Sequence, residues 1–369
     1  MSQNPFENVG EQIRPLIADE FAIDSVTTTR DGGALQFVGD FIGESGAAFA
    51  RIQSRLRALD LMALAQRERA RVQLIVVKGL PVERPWPAVV NVILLLLTIV
   101  TTTLVGAQYE QTCQGIVGGR IGLDFLNEPL RLLAGLPFSL GVLAILGTHE
   151  LGHYFTARKY HIAVTLPYFI PVPIGLGTLG AFIKLKAPID SRKSLFDVGI
   201  AGPLAGLVVA LPVFIGGLLL SQVRPCGQAV YGNSLFVNAL TLLVHGTHAR
   251  GWILIMHPLA YAGWVGFLMT GINLLPVGQL DGGHVTYAIF GRYAGWIARA
   301  TFGGMLLLSL IYPGWFIWAL LIFFVGLRHP PPLNDVTPLD PRRRALGIAT
   351  MLFALLIIVP VPFNVRGLF

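Results

Sequence analysis

The sequence predicts a polytopic α-helical membrane protein of about six to eight transmembrane helices, preceded by a small N-terminal α+β soluble lobe. Three observations predict it. Of the 369 residues, 54% are hydrophobic and only 13% are charged, against about 25% in ordinary soluble domains. Mean hydropathy is +0.66. Charge is also divided unevenly: residues 1–86 hold 10 Lys/Arg and 11 Asp/Glu, whereas residues 87–369 hold 17 and 9. The balanced part reads as the soluble lobe. The basic excess belongs to the membrane part, where it sets orientation; it does not mark a nucleic-acid partner. The first 20 residues lack an apolar core, so no cleaved signal peptide is expected.

The lobe is expected over residues 1–84. Ala22 to Thr28 and Ala34 to Val38 have strand character. Ala47 to Ala70 reads as one helix, with Phe49, Ile52, Leu56, Leu59 and Met62 on its core stripe and Arg51, Arg55 and Arg57 on a solvated face. Val72 to Val77 is a further short strand, closed by Gly79-Leu80-Pro81. No chemistry is assigned to this lobe.

The membrane core is expected over residues 85–328. Its spans run from Pro87 to Ala107, Pro137 to Ala157, Phe196 to Leu220 and Pro258 to Leu275. A helix or pair of short helices follows from Gly283 to Ile311, then a span from Gly314 to Leu327. The first span has 21 residues, enough for a bilayer core of about 30 Å. Residues 329–344 form a Pro-rich cytoplasmic linker, and residues 345–369 hold the last span, Ala345 to Val361. If the lobe is cytoplasmic and the spans alternate, 12 of the 17 basic residues of the membrane part face the cytoplasm. That bias supports the orientation and puts the site toward the cytoplasm; the expected location is a bacterial plasma (inner) membrane. Cys113 and Cys226 then lie together on the outer side, either joined as a disulfide or as two free thiols; two cysteines do not decide between them.

The chemistry sits in the second span. His149-Glu150-Leu151-Gly152-His153 places two imidazoles four residues apart, on one helix face about 5–6 Å apart at Cβ. Glu150 is rotated by about 100° from His149, near the ligands without being one. This is the zinc-peptidase pattern of two His ligands and a Glu base. Three ionisable groups in an apolar helix are expensive and point to function.

A catalytic zinc usually takes three protein ligands and a water. Asp281 is the best candidate for the third. It follows Pro276 and Gly278, where the fourth span must unwind, and it falls at the depth of the two histidines. The residues leave another reading open: Asp281 before Gly282-Gly283 also suits a helix N-cap. Asp197, near a span start, reads as a cap.

Two motifs together resemble the site-2 protease family of intramembrane zinc metalloproteases: the HELGH, and Asn273-x-x-Pro276-x-x-x-x-Asp281-Gly282. The resemblance covers residues 85–330 and is to members without a PDZ domain. It implies a single catalytic Zn2+ on His149, His153 and Asp281, with Glu150 as catalytic base. It implies a membrane-associated β-hairpin within Leu179 to Lys186 and a small-residue third helix at Ala201-Gly202-Pro203-Leu204-Ala205-Gly206. The partner it implies is a transmembrane protein substrate within membrane lipid, cut by regulated intramembrane proteolysis.

Further roles follow as expectations. Asn273 either donates to the oxyanion or ties down local main chain. His284 either orients Asp281 or is a plain interfacial histidine. Gly180, Ala181, Phe182, Ile183 and Lys184 are the expected substrate-binding edge, where unpaired main-chain groups take an unwound substrate as an added strand. Competing readings are an interfacial metallopeptidase and a non-enzymatic zinc-binding transporter or scaffold. Substrate identity and oligomeric state are not legible.

Overall fold

The computed structural model describes residues 9–29, 33–79, 86–112, 115–118, 129–225, 232, 234–247 and 252–361. Cys113 and Cys226 lie outside the described residues.

The lobe contains α1 (Val9–Ile17), β1 (Phe21–Thr28), β2 (Ala34–Phe41), α2 (Ser45–Arg57), β3 (Leu61–Glu68) and β4 (Arg71–Lys78). The strands form one antiparallel sheet in the order β1-β2-β4-β3. Ile13, Ile17, Phe37, Ile52, Leu56 and Leu74 are fully buried in its core. The long helix expected over Ala47 to Ala70 is shorter than the sequence suggested. It ends at Arg57; Asp60 turns the chain at φ 57°, and residues 61–68 continue as a strand. The physical reason is the local period: Ala63 and Ala65 are buried on alternate positions, the twofold repeat of a strand. Leu59 accordingly points outward, 51% exposed. The arginine face is paired: Arg51 donates to Glu20, Arg55 to Asp19 at 2.6 Å, and Arg57 reaches Asp190 at 3.0 Å.

The remaining chain forms α3 (Ala88–Gln108), the hairpin β5 (Tyr109–Thr112) and β6 (Gly115–Gly118), α4 (Leu136–Lys159), the hairpin β7 (Tyr168–Pro171) and β8 (Thr178–Phe182), and α5 (Arg192–Leu220). Then come β9 (Gln222–Arg224), α6 (Leu235–His245), β10 (Ile253–Ile255) antiparallel to β9, α7 (Pro258–Asn273), α8 (Asp281–Phe290), α9 (Ala294–Leu308), α10 (Gly314–Val325) and α11 (Pro341–Ile357). Among the described residues, three helices are long and apolar enough to cross a membrane: 88–108, 132–159 and 192–220. The helices α6 and α10 are apolar but shorter.

The central packing is α4 against α5 and α7, where Phe138, Val142, Ile145, Phe214, Trp264 and Phe267 are buried. α3 lies outside this trio and turns Val92, Leu96 and Val100 outward, as a lipid-facing helix does. Two of its polar side chains, Asn91 and Thr101, hold the loops around β7 and β8. Asn91 donates to the carbonyls of Leu166 and Pro167 at 3.1 and 2.9 Å, and Thr101 to that of Gly177 at 2.7 Å. A polar group in an apolar span is costly unless bonded, so these contacts fix the hairpin beside α4.

The Pro-rich segment between α10 and α11 is built into both halves of the molecule. Asn334 bridges Ala65 on the edge strand β3 and Ser191 at the start of α5, both in parallel register. Ala65 donates to the Leu333 carbonyl at 2.7 Å and accepts from Asp335 at 3.0 Å. Leu333 inserts into the lobe's core, while Leu339 joins the cluster of Phe196, Val285 and Ile289. Asp335 accepts from Arg192 and Tyr287, and Arg343 grips both Asp197 and Asp340. Asp197 is therefore an ion-pair partner; the cap of α5 is Ser191, in a capping box with Ser194. Tyr160, at the end of α4, also donates to Asp197, and burial with that bond pushes its phenol up to about 12. It remains a protonated donor across the physiological range.

Candidate metal centre

α4 carries His149 and His153 on one face, as the four-residue spacing requires, and both are buried. At 1.5 Å per residue, His149 lies about 20 Å along α4 from Leu136. α7 ends at Asn273, and the chain turns through Pro276 and Gly278 before α8 opens with Asp281. Gly278 sits at φ 59°, a conformation that favours glycine. Asp-Gly-Gly is needed for the return: a Cβ on Gly282 would lie 2.1 Å from the Leu274 carbonyl oxygen. The turn brings Asp281 onto the two histidines. Its carboxylate does not cap α8, whose N-cap residue is Leu280.

Ligand atoms of three residues converge. His149 Nε2 and His153 Nε2 are 3.1 Å apart. Asp281 Oδ2 is 3.1 Å from the first, and Oδ1 is 3.2 Å from the second. Zinc bonds of about 2.0–2.1 Å at tetrahedral angles put ligand atoms about 3.3 Å apart, so these separations suit that ion. The donor set also suits it. His153 Nδ1 lies 2.7 Å from the Val198 carbonyl, which can only accept, so Nδ1 carries the proton and Nε2 presents its lone pair. Two imidazoles facing each other beside a carboxylate form a cradle for a divalent cation.

Glu150 is buried next to them, its Oε1 4.0 Å from His149 Nε2, and it lines the same cavity as Ile183. Asn273 Nδ2 stands 3.5 Å from His149 Nε2. These groups line one cavity of about 230 Å³, with Ala181, Phe182 and Ile183 along its other wall.

Residues 137–310 match Peptidase family M50. The probable zinc metalloprotease EGY1, chloroplastic, of Oryza sativa subsp. japonica is 31% identical over 369 residues, covering 89% of this chain and 63% of that protein. Its counterpart EGY1 of Arabidopsis thaliana is 33% identical over 303 residues, 75% of this chain and 54% of that protein. The probable zinc metalloprotease EGY2, chloroplastic, of Arabidopsis thaliana is 32% identical over 240 residues, 63% and 43% respectively. This chain belongs to the M50, or site-2 protease, family. It spans about half the length of the curated relatives it matches.

In this M50 chain the residues expected at the site do converge: His149, Glu150, His153, Asn273, Asp281 and Ile183 line the one cavity. The expected capture edge is narrower than unpaired main chain over Ala181 to Lys186 requires. Phe182 and Ala181 pair with Tyr168 and Phe169. The N–H of Lys184 goes to Thr165 Oγ1, that of Lys186 to the Ala163 carbonyl, and that of Gly180 to Thr178 Oγ1. His284 also lines the cavity, and its Nδ1 is 3.1 Å from His329 Nε2.

Two contributors escaped the sequence reading. Val198 acts through its main-chain carbonyl, which leaves no residue signature. Gly202 lets α5 lie against the centre, since a Cβ there would meet His153 Nε2 at 2.1 Å. The run of small residues from Ala201 to Gly206 was the available signal.

Proposed function

We propose that this protein is an intramembrane zinc metalloprotease that hydrolyses peptide bonds in or near transmembrane segments of membrane proteins. The observation that carries this reading is the meeting of His149, His153 and Asp281, from two separate helices, beside a buried Glu150. His149, His153 and Asp281 hold the zinc, and Glu150 and Asn273 work on the substrate. When bound, the ion polarises a scissile carbonyl and makes a water molecule more acidic.

The chain's own groups do the rest. Glu150 takes a proton from the attacking water and delivers it to the leaving amine as the peptide C–N bond breaks. The Asn273 amide donates to the oxygen that gains charge during attack. His153 is held in one tautomer by Val198 throughout. A substrate helix hides its carbonyls in its own hydrogen bonds, so a stretch of it has to unwind. Within the expected edge of Gly180 to Lys184, the wall of Ala181, Phe182 and Ile183 offers its side of the cavity to that stretch, next to Glu150.

In the bilayer, α7, the α8–α9 pair, α10 and α11 join the three long apolar helices to give seven spans, within the six to eight expected. The lobe, residues 1–84, and the strap of 329–344 face the side on which the basic residues collect, and the metal site of the 85–328 core lies toward that side. In a bacterium that is the cytoplasmic face of the inner membrane.

The test is to map the bond cut in a co-expressed membrane protein, comparing wild type with Glu150→Gln. A cut within or at the edge of the apolar segment, absent from the variant, supports the proposal. A cut in a soluble tail well beyond the membrane favours an interfacial metallopeptidase instead.

A further inference from the structure

We propose that the cavity behind the Asp281 turn binds the phosphate of an anionic membrane-lipid headgroup. The cavity has a volume of about 450 Å³ and lies between α8, α9 and the start of the strap. Arg292, Arg299 and Arg328 line it, together with Tyr287 and His329. No Asp or Glu lines it, and among the described residues none of the three arginines forms an ion pair. Six other arginines, Arg51, Arg55, Arg57, Arg71, Arg192 and Arg343, meet carboxylates, while Arg158 and Arg224 donate to the neutral Tyr154 and Gln222 on their own segments; at this cavity three arginines share one concavity. Three guanidinium groups left around one concavity leave a localised positive charge that a phosphate complements in charge and in fork geometry.

A second, independent observation places this cavity at headgroup depth. Arg299 lies 4.0 Å over the ring of Trp296, and Arg292 5.1 Å over that of Tyr293. Both rings are exposed, at 69% and 57%. Exposed Trp and Tyr at the end of an apolar helix mark the membrane–water boundary. Beyond them, α9, the turn that follows it and α10 present bare apolar surface outward: Leu307, Leu310, Phe323 and Phe324 are all exposed. A diacyl lipid fits this layout, with its phosphate among the arginines and its chains along α9 and α10. The inference rests on α9 and α10 lying in the bilayer, and it is independent of hydrolysis. The other wall of the cavity is formed by Pro276, Gly278 and Gly283, the turn that delivers Asp281, so an occupant also braces that turn.

The test uses the full chain purified in neutral detergent, titrated with phosphatidylglycerol or phosphatidylcholine in mixed micelles and read by native mass spectrometry. Inorganic phosphate is added in a separate arm. An interfacial arginine strengthens binding of an anionic headgroup by about fivefold. Wild type is therefore expected to retain phosphatidylglycerol over phosphatidylcholine, and Arg299→Ala/Arg328→Ala to lose about 25-fold of that preference. Unchanged phosphatidylglycerol retention in the double variant overturns the proposal, as does equal retention of both lipids by wild type. Displacement of phosphatidylglycerol by millimolar phosphate alone assigns the cavity to a free anion and overturns the lipid source. The zinc content of the double variant shows that it has folded.

Discussion

Gly202 lies so close to His153 that a methyl group on its Cα would sit 2.1 Å from the ring's Nε2. The helix α5 is thus part of the metal centre, although it supplies no ligand. Gly202→Ala is expected to push the imidazole off its position or α5 off α4. Support groups around a metal commonly matter by about 10–100-fold in affinity. Competition against a chelator should show a loss of that size. Unchanged zinc affinity would mean that the helices separate freely and that the close packing is incidental.

Glu150→Gln tests the base separately from the ligands. The amide is isosteric, so zinc should stay bound. Hydrolysis should fall by about a hundredfold to ten-thousandfold, the usual worth of a positioned base. The paired measurement is metal content and initial rate on one preparation.

Ile183→Pro removes a main-chain N–H from the cavity wall beside Glu150 and stiffens that wall. Cleavage of a membrane substrate should drop while zinc content holds. Full activity in this variant would exclude the 180–184 wall from substrate handling.

The strap between α10 and α11 predicts a stability effect far from the chemistry. Leu333 is 3% exposed within the lobe's core. Leu333→Ala should cost about 2–5 kcal/mol, as truncation of a buried leucine does. Thermal unfolding and limited proteolysis of the full chain should both show the lobe loosened, with β3 cut first once its edge is uncovered.

The lobe also carries a pH dependence. The hydrogen bonds from Arg55 to Asp19 and from Arg51 to Glu20 hold both carboxyls below the usual range. Depressed folded-state values mean that the contribution is present above the unfolded value, about 4, and is lost as pH falls through the folded one. The lobe's thermal midpoint should therefore decline as pH is lowered below about 4. Arg51→Gln/Arg55→Gln should flatten that decline; an equally steep slope in the double variant would assign it to other groups.

What could be read in advance follows how local each signal is. His149 and His153 were legible because their relation is one turn of a single helix. Asp281 was legible because Pro276 and Gly278 announce where the chain must leave α7. The N-cap alternative for Asp281 needed coordinates to be set aside, since Asp before Gly-Gly satisfies both roles locally. Leu61 to Glu68 was misread as helix because alanine and leucine suit helices, and only the alternation of Ala63 and Ala65 betrays the strand. The Val198 carbonyl and the pairing of Asn334 with Ala65 were invisible, since both depend on main-chain groups brought together from distant parts of the chain. Of the expected edge from Gly180 to Lys184, Ala181, Phe182 and Ile183 line the cavity and Gly180 and Lys184 do not; the hydrogen bonds to Thr165 and Thr178 that hold those two could not be foreseen from residue type.

The most direct test of the central claim is zinc K-edge X-ray absorption on the purified chain. One zinc per chain with two imidazole nitrogens and oxygen ligands, collapsing in Asp281→Ala and in His153→Ala, is the predicted result. A coordination shell unchanged in Asp281→Ala would contradict it, because the carboxylate from α8 would then not be holding the ion.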